Sequence, residues 1–286
     1  MTKHTLFHAD SRNMEYINSN SVHLVLTSPP YFNLKEYRRG KNQLGIIDDY
    51  QQFVDELSKI WKECYRILVP GGRVVCVVGD VCLSRKKYGR HVVMPLQSDI
   101  AVSCRKIGFD NLNPILWHKI SNASFEANTY SSILGKPFEP NAIIKNDIEY
   151  ILMERKPGGY RKPTQQQREE SRMTKEEFQQ WFSQIWELPG ASTKNGHPAP
   201  FPLELAARLV KMFSFAGDTV VDPMCGSGTT MLAAMKANRN SIGIETEEYY
   251  CNHILNRLNN ENNLFTEADI RYFNLSNEAD TYSENN

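Results

Sequence analysis

No apolar run in this 286-residue chain approaches the roughly 18 residues that a membrane-spanning helix needs. The longest strand-like stretch is Val74–Val78, and the first residues, MTKHTLFHAD, lack the apolar core of a secretory signal. A cytoplasmic protein is expected. None of the six cysteines (Cys64, Cys76, Cys82, Cys104, Cys225 and Cys251) forms a CxxC pair, and no Cys/His cluster has zinc-ligand spacing. Disulfide, redox and structural-zinc readings are therefore set aside in favour of buried or incidental thiols. Net charge is also missing: 33 Lys and Arg balance 33 Asp and Glu. Taken as a mean, that neutrality argues against a nucleic-acid partner, which favours a basic protein. Disorder is excluded as well, because 41% hydrophobic and 23% charged residues are ordinary for a folded chain with ample core.

What is present is an alternation of short apolar strands with helical patterns, the signature of a parallel-rich α/β sheet. Val22–Leu26 reads as a buried strand, and Phe53, Leu57, Ile60, Trp61, Cys64 and Leu68 recur at helical spacing over Tyr50–Leu68. Pro70-Gly71-Gly72 is predicted to end that helix, with Arg73–Val78 as the next strand. Further elements are predicted as a helix over Pro95–Lys106 and strands at Pro114–His118 and Ile148–Met153. From about Glu154 to Pro200 the pattern lapses, with Pro157-Gly158-Gly159, three glutamines, mixed charge, Trp181 and Trp186. This reads as an inserted subdomain or long excursion. Alternation resumes with a helix over Leu203–Phe213, a strand at Thr219–Asp222, a helix from Thr229, a strand at Ser241–Glu245 and a helix over Glu247–Leu258.

Two motifs carry chemistry. Thr219–Thr230 is a strand, a turn of small residues and a helix start, in which glycines let a ligand approach the backbone near free helix N–H groups. It lacks the Lys of a phosphate-binding loop, and Met231 stands where a dinucleotide fingerprint has its third Gly. Glu245, at the end of the next strand, is placed to accept hydrogen bonds from ribose hydroxyls. A nucleoside cofactor without a pyrophosphate fits, and S-adenosylmethionine is such a molecule.

The second motif, Ser28-Pro29-Pro30-Tyr31, follows a buried strand directly, at the carboxyl edge of the sheet. Two prolines fix φ and remove backbone donors, leaving a rigid turn of carbonyl acceptors. That suits a substrate with a planar exocyclic amino group: the Ser28 hydroxyl and Pro29 carbonyl can accept its two N–H bonds, and Tyr31 can stack on its ring.

With both motifs in this order, the chain resembles the DNA amino-methyltransferases of the β, circularly permuted, group. His8-Ala9-Asp10-Ser11 is similar to their short N-terminal motif, and Ser28–Tyr31 to their catalytic motif. Leu68–Asp80 is similar to the segment that follows, Gly196–Pro202 to the one covering the methionine end of the cofactor, Asp222–Thr230 to the glycine motif, and Ile242–Glu245 to the ribose-binding strand. Met224 departs from the aromatic usual before the glycines. The resemblance implies a Rossmann-like methyltransferase fold with a circularly permuted mixed α/β sheet. It further implies a catalytic half over residues 1–153, a target-recognition region over 154–195, a cofactor half over 196–275 and a flexible tail over 276–286.

Implied cofactor contacts for S-adenosyl-L-methionine are Asp10 near the adenine, Pro200 and Phe201 near the methionine end, and Asp222, Met224, Gly226, Ser227, Gly228, Thr229 and Glu245. Implied catalytic residues are Ser28, Pro29, Pro30 and Tyr31, with no metal. No proline is followed by Cys, which rules out a cytosine-C5 nucleophile. Within the family Ser at the first motif position favours cytosine N4, and Asp favours adenine N6. The expected partners are double-stranded DNA and a cognate restriction endonuclease, with the enzyme a monomer or homodimer. A nicotinamide oxidoreductase leaves the Ser-Pro-Pro-Tyr motif unexplained, and a non-catalytic DNA-binding subunit leaves all the polar positions unexplained.

Charge segregation answers the neutral total. Phe32–Leu44 is net plus three through Lys35, Arg38, Arg39 and Lys41 against Glu36. Ser84–His91 is plus four through Arg85, Lys86, Lys87 and Arg90, and Arg155–Gln180 is plus three, whereas Glu245–Asn286 is minus seven. The first two segments follow strands at the catalytic edge and are predicted to contact DNA phosphates. Sequence readout is expected in Arg155–Gln180, helped by Ser121–Asn141. Those positive residues are expected to gather around Tyr31, whereas His118, Trp181 and Trp186 are expected to be structural.

Overall fold

The computed structural model describes residues 1–32, 43–83, 88–119, 146–190, 201–262 and 267–276, together with Pro140 and Ile144. In chain order, its strands and helices are β1 (Thr2–His8), β2 (Val22–Thr27), α1 (Tyr50–Ile67), β3 (Leu68–Val78), β4 (Val81–Leu83), β5 (Val92–Met94), α2 (Leu96–Ile107), β6 (Asp110–Asn111), β7 (Ile115–His118) and β8 (Ile148–Arg155). Then come α3 (Gln165–Glu170), α4 (Lys175–Trp181), β9 (Ile185–Glu187), α5 (Leu203–Phe213), β10 (Thr219–Asp222), α6 (Thr229–Lys236), β11 (Asn240–Glu245), α7 (Glu248–Glu261) and β12 (Ala268–Asn274).

Among the described residues ten strands form one sheet in the order β12-β1-β11-β10-β2-β3-β8-β7-β9, with β6 beside β8; β4 and β5 pair separately. From β12 to β3 every pairing is parallel, and β8 runs antiparallel to β3 and β7. The sheet is mixed and α/β. Buried residues of α1 and α2 cover one face, against Val25, Val74, Cys76 and Val221, while α5 and α6 cover the other, against Leu24, Leu26, Val75, Val77 and Val220. Helix α7 joins α6 over Leu6 of β1. Because the late strand β10 sits between β2 and β11, residues far apart in sequence end at one carboxyl edge.

Helix α1 forms as its spacing predicts: Asp49 caps it by accepting the Gln52 N–H at 2.7 Å, and its apolar stripe is buried. Its end differs from expectation. The helix stops at Ile67, and Pro70-Gly71-Gly72 lies inside β3, where the register jumps from Val22 opposite Leu68 to Leu24 opposite Arg73. Pro70 has no N–H for the ladder, and Gly71 takes a left-handed φ of 79°. The bulge is tied to the chain leaving β8 by Gly71 N–H to Lys156 O and Lys156 N–H to Gly72 O, each 2.9 Å.

The stretch after Glu154 is an excursion over the sheet, since it shares the core of the sheet's second face. Trp181, Trp186 and Leu188 are buried there, Trp186 Nε1–H donates to the Trp181 carbonyl at 3.0 Å, and β9 pairs with β7. The basic side chains at its start lie where the parallel strands begin, away from their carboxyl ends. Arg155 is in register with Arg73, Lys156 Nζ donates to the Leu68 carbonyl at 2.7 Å, and Arg161 pairs with the buried Asp218 just before β10. Gln167 of α3 reaches the Ala216 carbonyl at the same end. The expectation that Arg155–Gln180 surrounds Tyr31 is therefore corrected for these residues: β8 runs antiparallel and carries the chain away from that edge.

Candidate active site

The carboxyl ends of β1, β2, β10 and β11 converge on a cleft that is open to solvent on one side, the usual place for a ligand in a parallel α/β sheet. One side is Ser28, Pro29, Pro30 and Tyr31 after β2; the other is Pro223, Met224, Gly226, Ile244 and Glu245 at β10 and β11, with Asp10 and Ser11 beyond them at the end of β1. The two motifs singled out from the sequence thus face one space. Thr246, Glu247 and Tyr250 at the start of α7, and Gln43, Leu44, Gly45 and Ile60, complete the lining. The sequence reading assigned none of these seven to the site; Ile60 and Tyr250, both buried and both in predicted helices, were legible only as core positions.

The glycine loop is built around Glu245. Gly226 takes a left-handed φ of 50°, and its N–H donates to Glu245 Oε2 at 2.8 Å, while Oε1 accepts the N–H groups of Thr246 and Glu247 at 2.9 and 3.0 Å. Burial nevertheless pushes the carboxyl's pKa up to about 7. Asp222, buried at the end of β10, accepts the Met224 N–H at 3.2 Å; burial pushes its pKa up to about 6, although hydrogen bonds from the hydroxyls of Thr230 and Thr27 and from Met224 N–H favour the charged form. It supports the loop from beneath and does not line the cleft. Ser227, Gly228 and Thr229 are likewise not among the lining residues: Arg257 donates to the Ser227 carbonyl at 2.8 Å and the Thr229 hydroxyl at 3.2 Å, and Gly228, at φ 75°, packs against Ile254.

Gly243 makes room for the loop. A Cβ there would collide with Met231 Sδ and stand 3.1 Å from Cys225 Sγ. Gly243→Ala is expected to destabilise the fold by about 1–3 kcal/mol, since a filled core yields only by moving backbone or rotamers. A denaturant midpoint unchanged from the parent would refute this.

Asp10 is held at the cleft by Arg12, whose Nε stands 3.0 and 2.9 Å from its two oxygens, and whose Nη1 reaches Glu56 at 2.6 Å. These two acids raise the guanidinium's pKa, so the clamp stays charged. Ser11 Oγ donates to the Pro223 carbonyl and Ala9 N–H to the Glu245 carbonyl at 3.0 Å, joining the N-terminal motif to the glycine loop.

The Ser28–Tyr31 turn is closed by Phe32. Its N–H donates to the Pro30 carbonyl at 3.0 Å, and it takes a φ of 44°, uncommon for a bulky residue. The ring is buried between Tyr50 and Phe53, each with its centroid 5.5 Å away, and this packing holds the strained backbone. Tyr31 Oη donates to Glu149 Oε1 at 2.7 Å.

A family model for DNA methylases, the N6/N4 methyltransferases, matches residues 22–256, most of the chain and both motifs. The chain belongs to this family. It is similar to type II methyltransferase M.MjaI of Methanocaldococcus jannaschii, with 40% identity covering 86% of this chain and 88% of the relative. It is also similar to TTHA0409 of Thermus thermophilus, assigned as a DNA modification methylase and solved with S-adenosyl-L-methionine, at 49% identity and a TM-score of 0.77 over 94% and 98% of the two chains. The PvuII DNA methyltransferase, cytosine-N4-specific, shares the fold at 18% identity and a TM-score of 0.65 over 95% of each chain.

The methyltransferase is therefore Rossmann-like and uses S-adenosyl-L-methionine. Its cleft fits that cofactor, with the half-buried carboxylate of Glu245 at the end of β11 beside apolar walls of Ile244, Tyr250 and Met224. Phe201, expected near the cofactor, packs instead with the core on the second sheet face, and Pro200 lies outside the described residues. Of the residues expected to bind DNA, Arg90 is exposed; Lys35, Arg38, Arg39, Lys41, Arg85, Lys86 and Lys87 lie outside the described residues, as do residues 121–139 and the tail from residue 277. No described helix of the methyltransferase is long and apolar enough to cross a membrane.

Proposed function

We propose that this methyltransferase acts on the exocyclic N4 of a cytosine flipped out of duplex DNA, in a restriction-modification setting, and that it has the circularly permuted arrangement. The observation that carries the choice of base is Ser28, rather than an Asp, at the head of the motif on the cleft wall. Flipping costs a few kcal/mol and brings the base edge to a site that no duplex could enter. When bound, S-adenosyl-L-methionine supplies an electrophilic sulfonium methyl.

The chain's own residues prepare the nucleophile, whose nitrogen lone pair is delocalised into the ring. The Ser28 hydroxyl and the Pro29 carbonyl accept its two N–H bonds, favouring a pyramidal nitrogen aligned with the methyl. Pro30 offers its carbonyl to Phe32 instead, which directs the substrate's amino group to Pro29. Tyr31 stacks on the ring, and the proton leaves to Ser28 or to solvent. Glu245 accepts the ribose hydroxyls, and Asp10, Met224 and Gly226 flank the cofactor, while Asp222, Ser227, Gly228 and Thr229 shape the loop.

Target reading is proposed for Ser121–Asn141 and for the end of the 154–195 region. In support, the described residues that flank the first, Lys119 and Asp147, lie at the carboxyl edge of the sheet, where Lys119 N–H bonds the Asp147 carbonyl at 3.1 Å; the second reaches the same edge through β9, with Glu187 opposite His118. The basic segments around residues 35–41 and 85–90 are proposed to contact phosphates.

Incubation with duplex DNA and S-adenosyl-L-methionine, digestion and mass spectrometry of the nucleosides is expected to yield N4-methylcytosine. N6-methyladenine would move the assignment to adenine. Neither product, with DNA still bound, would make the chain a non-catalytic DNA-binding subunit.

A further inference from the structure

Beside the cleft, Tyr31, Glu149 and Lys119 meet at the carboxyl edge of the sheet, Glu149 from the face that carries Val77, Ile151 and Trp117. Val77 is in register with Ile151 and Trp117 with Glu149, so Glu149 falls on the same face two residues earlier in β8. Glu149 is only 9% exposed. Its Oε1 accepts the Tyr31 hydroxyl at 2.7 Å and also pairs with Lys119 Nζ, which lies diagonally across the β7–β8 ladder and 4.7 Å from the Trp117 ring centroid. Between Tyr31 and Glu149 lies Gly79. A Cβ there would stand 3.2 Å from Glu149 Cγ and 3.5 Å from Tyr31 Cε1.

We infer that Glu149 is a positioning residue for Tyr31: held by Lys119 and admitted by Gly79, it fixes the ring against which the flipped base stacks. The inference rests on the proposed stacking role of Tyr31. A phenol hinged only at its Cα and Cβ rotates over the mouth of the cleft, whereas one anchored at its hydroxyl presents a fixed face. The anchor comes from β8, beyond the strands that carry either sequence motif. A buried carboxylate with no cation beside it would be costly, which gives Lys119 its place.

The test compares steady-state methylation of duplex DNA by the full chain and by Tyr31→Phe, Glu149→Leu, Glu149→Gln and the Tyr31→Phe/Glu149→Leu double variant. Cofactor Kd and thermal midpoint serve as controls for folding. Tyr31→Phe and Glu149→Leu are each expected to lower kcat about tenfold, as for loss of one hydrogen bond, and the double variant no further. Glu149→Gln keeps an oxygen for the phenol and is expected to stay within about threefold of the parent. Multiplied losses in the double variant, a Glu149→Gln as slow as Glu149→Leu, or a fully active Glu149→Leu would overturn the inference.

Should Glu149→Leu fail to bind cofactor, Gly79→Ala replaces it. It is expected to lower kcat several-fold in the parent and to have no effect in the Tyr31→Phe background; equal effects in both would overturn the inference. A Tyr31→Ala variant that methylates normally would remove the stacking role itself. An inactive Tyr31→Ala with independent Glu149 effects would remove only the anchor.

Discussion

Tyr31→Ala and Ser28→Ala are each expected to lower kcat by about two orders of magnitude or more, with the Kd for S-adenosyl-L-methionine changed by less than about threefold. Ser28 contributes one of two acceptors for the amino group, and its loss leaves that N–H unpaired in a closed site, where an unmade bond is costly. Tyr31 supplies the face that keeps the base in line, and a misplacement of about 1 Å at the reacting atom is enough for a hundredfold loss. Both residues belong to the wall of the cleft opposite the glycine loop, so binding and chemistry should separate cleanly. Calorimetry for the cofactor beside single-turnover methylation reads the two apart. If both variants methylate duplex DNA at the parental rate, the proposed chemistry is wrong.

Cofactor binding should strengthen as pH rises through neutrality, and Glu245 is the reason. Its pKa of about 7 in the cleft means that below this pH the carboxyl is largely protonated. Folding raises that pKa from an ordinary value of about 4.5. The stability that this group contributes is therefore fully present in acid and is lost as pH rises through about 7, because the charge must then be kept in a buried site. Ribose hydroxyls are donors and favour the carboxylate, so binding offsets part of that cost and releases a proton. The expected result is a Kd that falls between pH 6 and pH 8, approaching tenfold per unit on the acid side.

Glu245→Gln should abolish this dependence and weaken binding at every pH. An amide cannot accept from Gly226, Thr246 and Glu247 together, since its NH2 would face one of these donors. Glu245→Ala should cost more, on the order of a hundredfold, because it also releases the Gly226 N–H that shapes the loop. A Glu245→Gln variant with the parental pH slope would assign the titration to another group.

Much of the architecture is legible before any coordinates. The strands at residues 22–27, 115–118, 148–155, 219–222 and 240–245 and the helices at 50–67, 96–107, 203–213 and 248–261 stand close to where periodicity and turn residues put them. Strand β1 is hidden because its inward positions are His4, Leu6 and His8. Imidazoles read as polar, yet His4 is fully buried between Ser241 Oγ at 2.7 Å and Thr2 Oγ1 at 2.8 Å, and burial lowers its pKa to about 4 so that it stays neutral. Strand β12 is hidden for the opposite reason: it is a largely exposed edge with no core face to pattern. In β3, Pro70-Gly71-Gly72 reads as punctuation between elements because a bulge depends on the partner strand, and no local window contains that partner.

By itself, the sequence determined the chemistry-bearing groups. A serine before two prolines, a tyrosine after them, a glycine turn and an acid one strand later are local patterns, and local patterns fix backbone donors, acceptors and φ. Tertiary structure alone decided which of these groups meet. It placed β10 between β2 and β11, brought Glu245 to Gly226, set Glu149 against Tyr31, and sent Arg155 and Arg161 to the far edge of the sheet. The physical reason is that strand order and direction depend on long-range pairing and on burial of both sheet faces, and neither quantity is contained in a short stretch of chain.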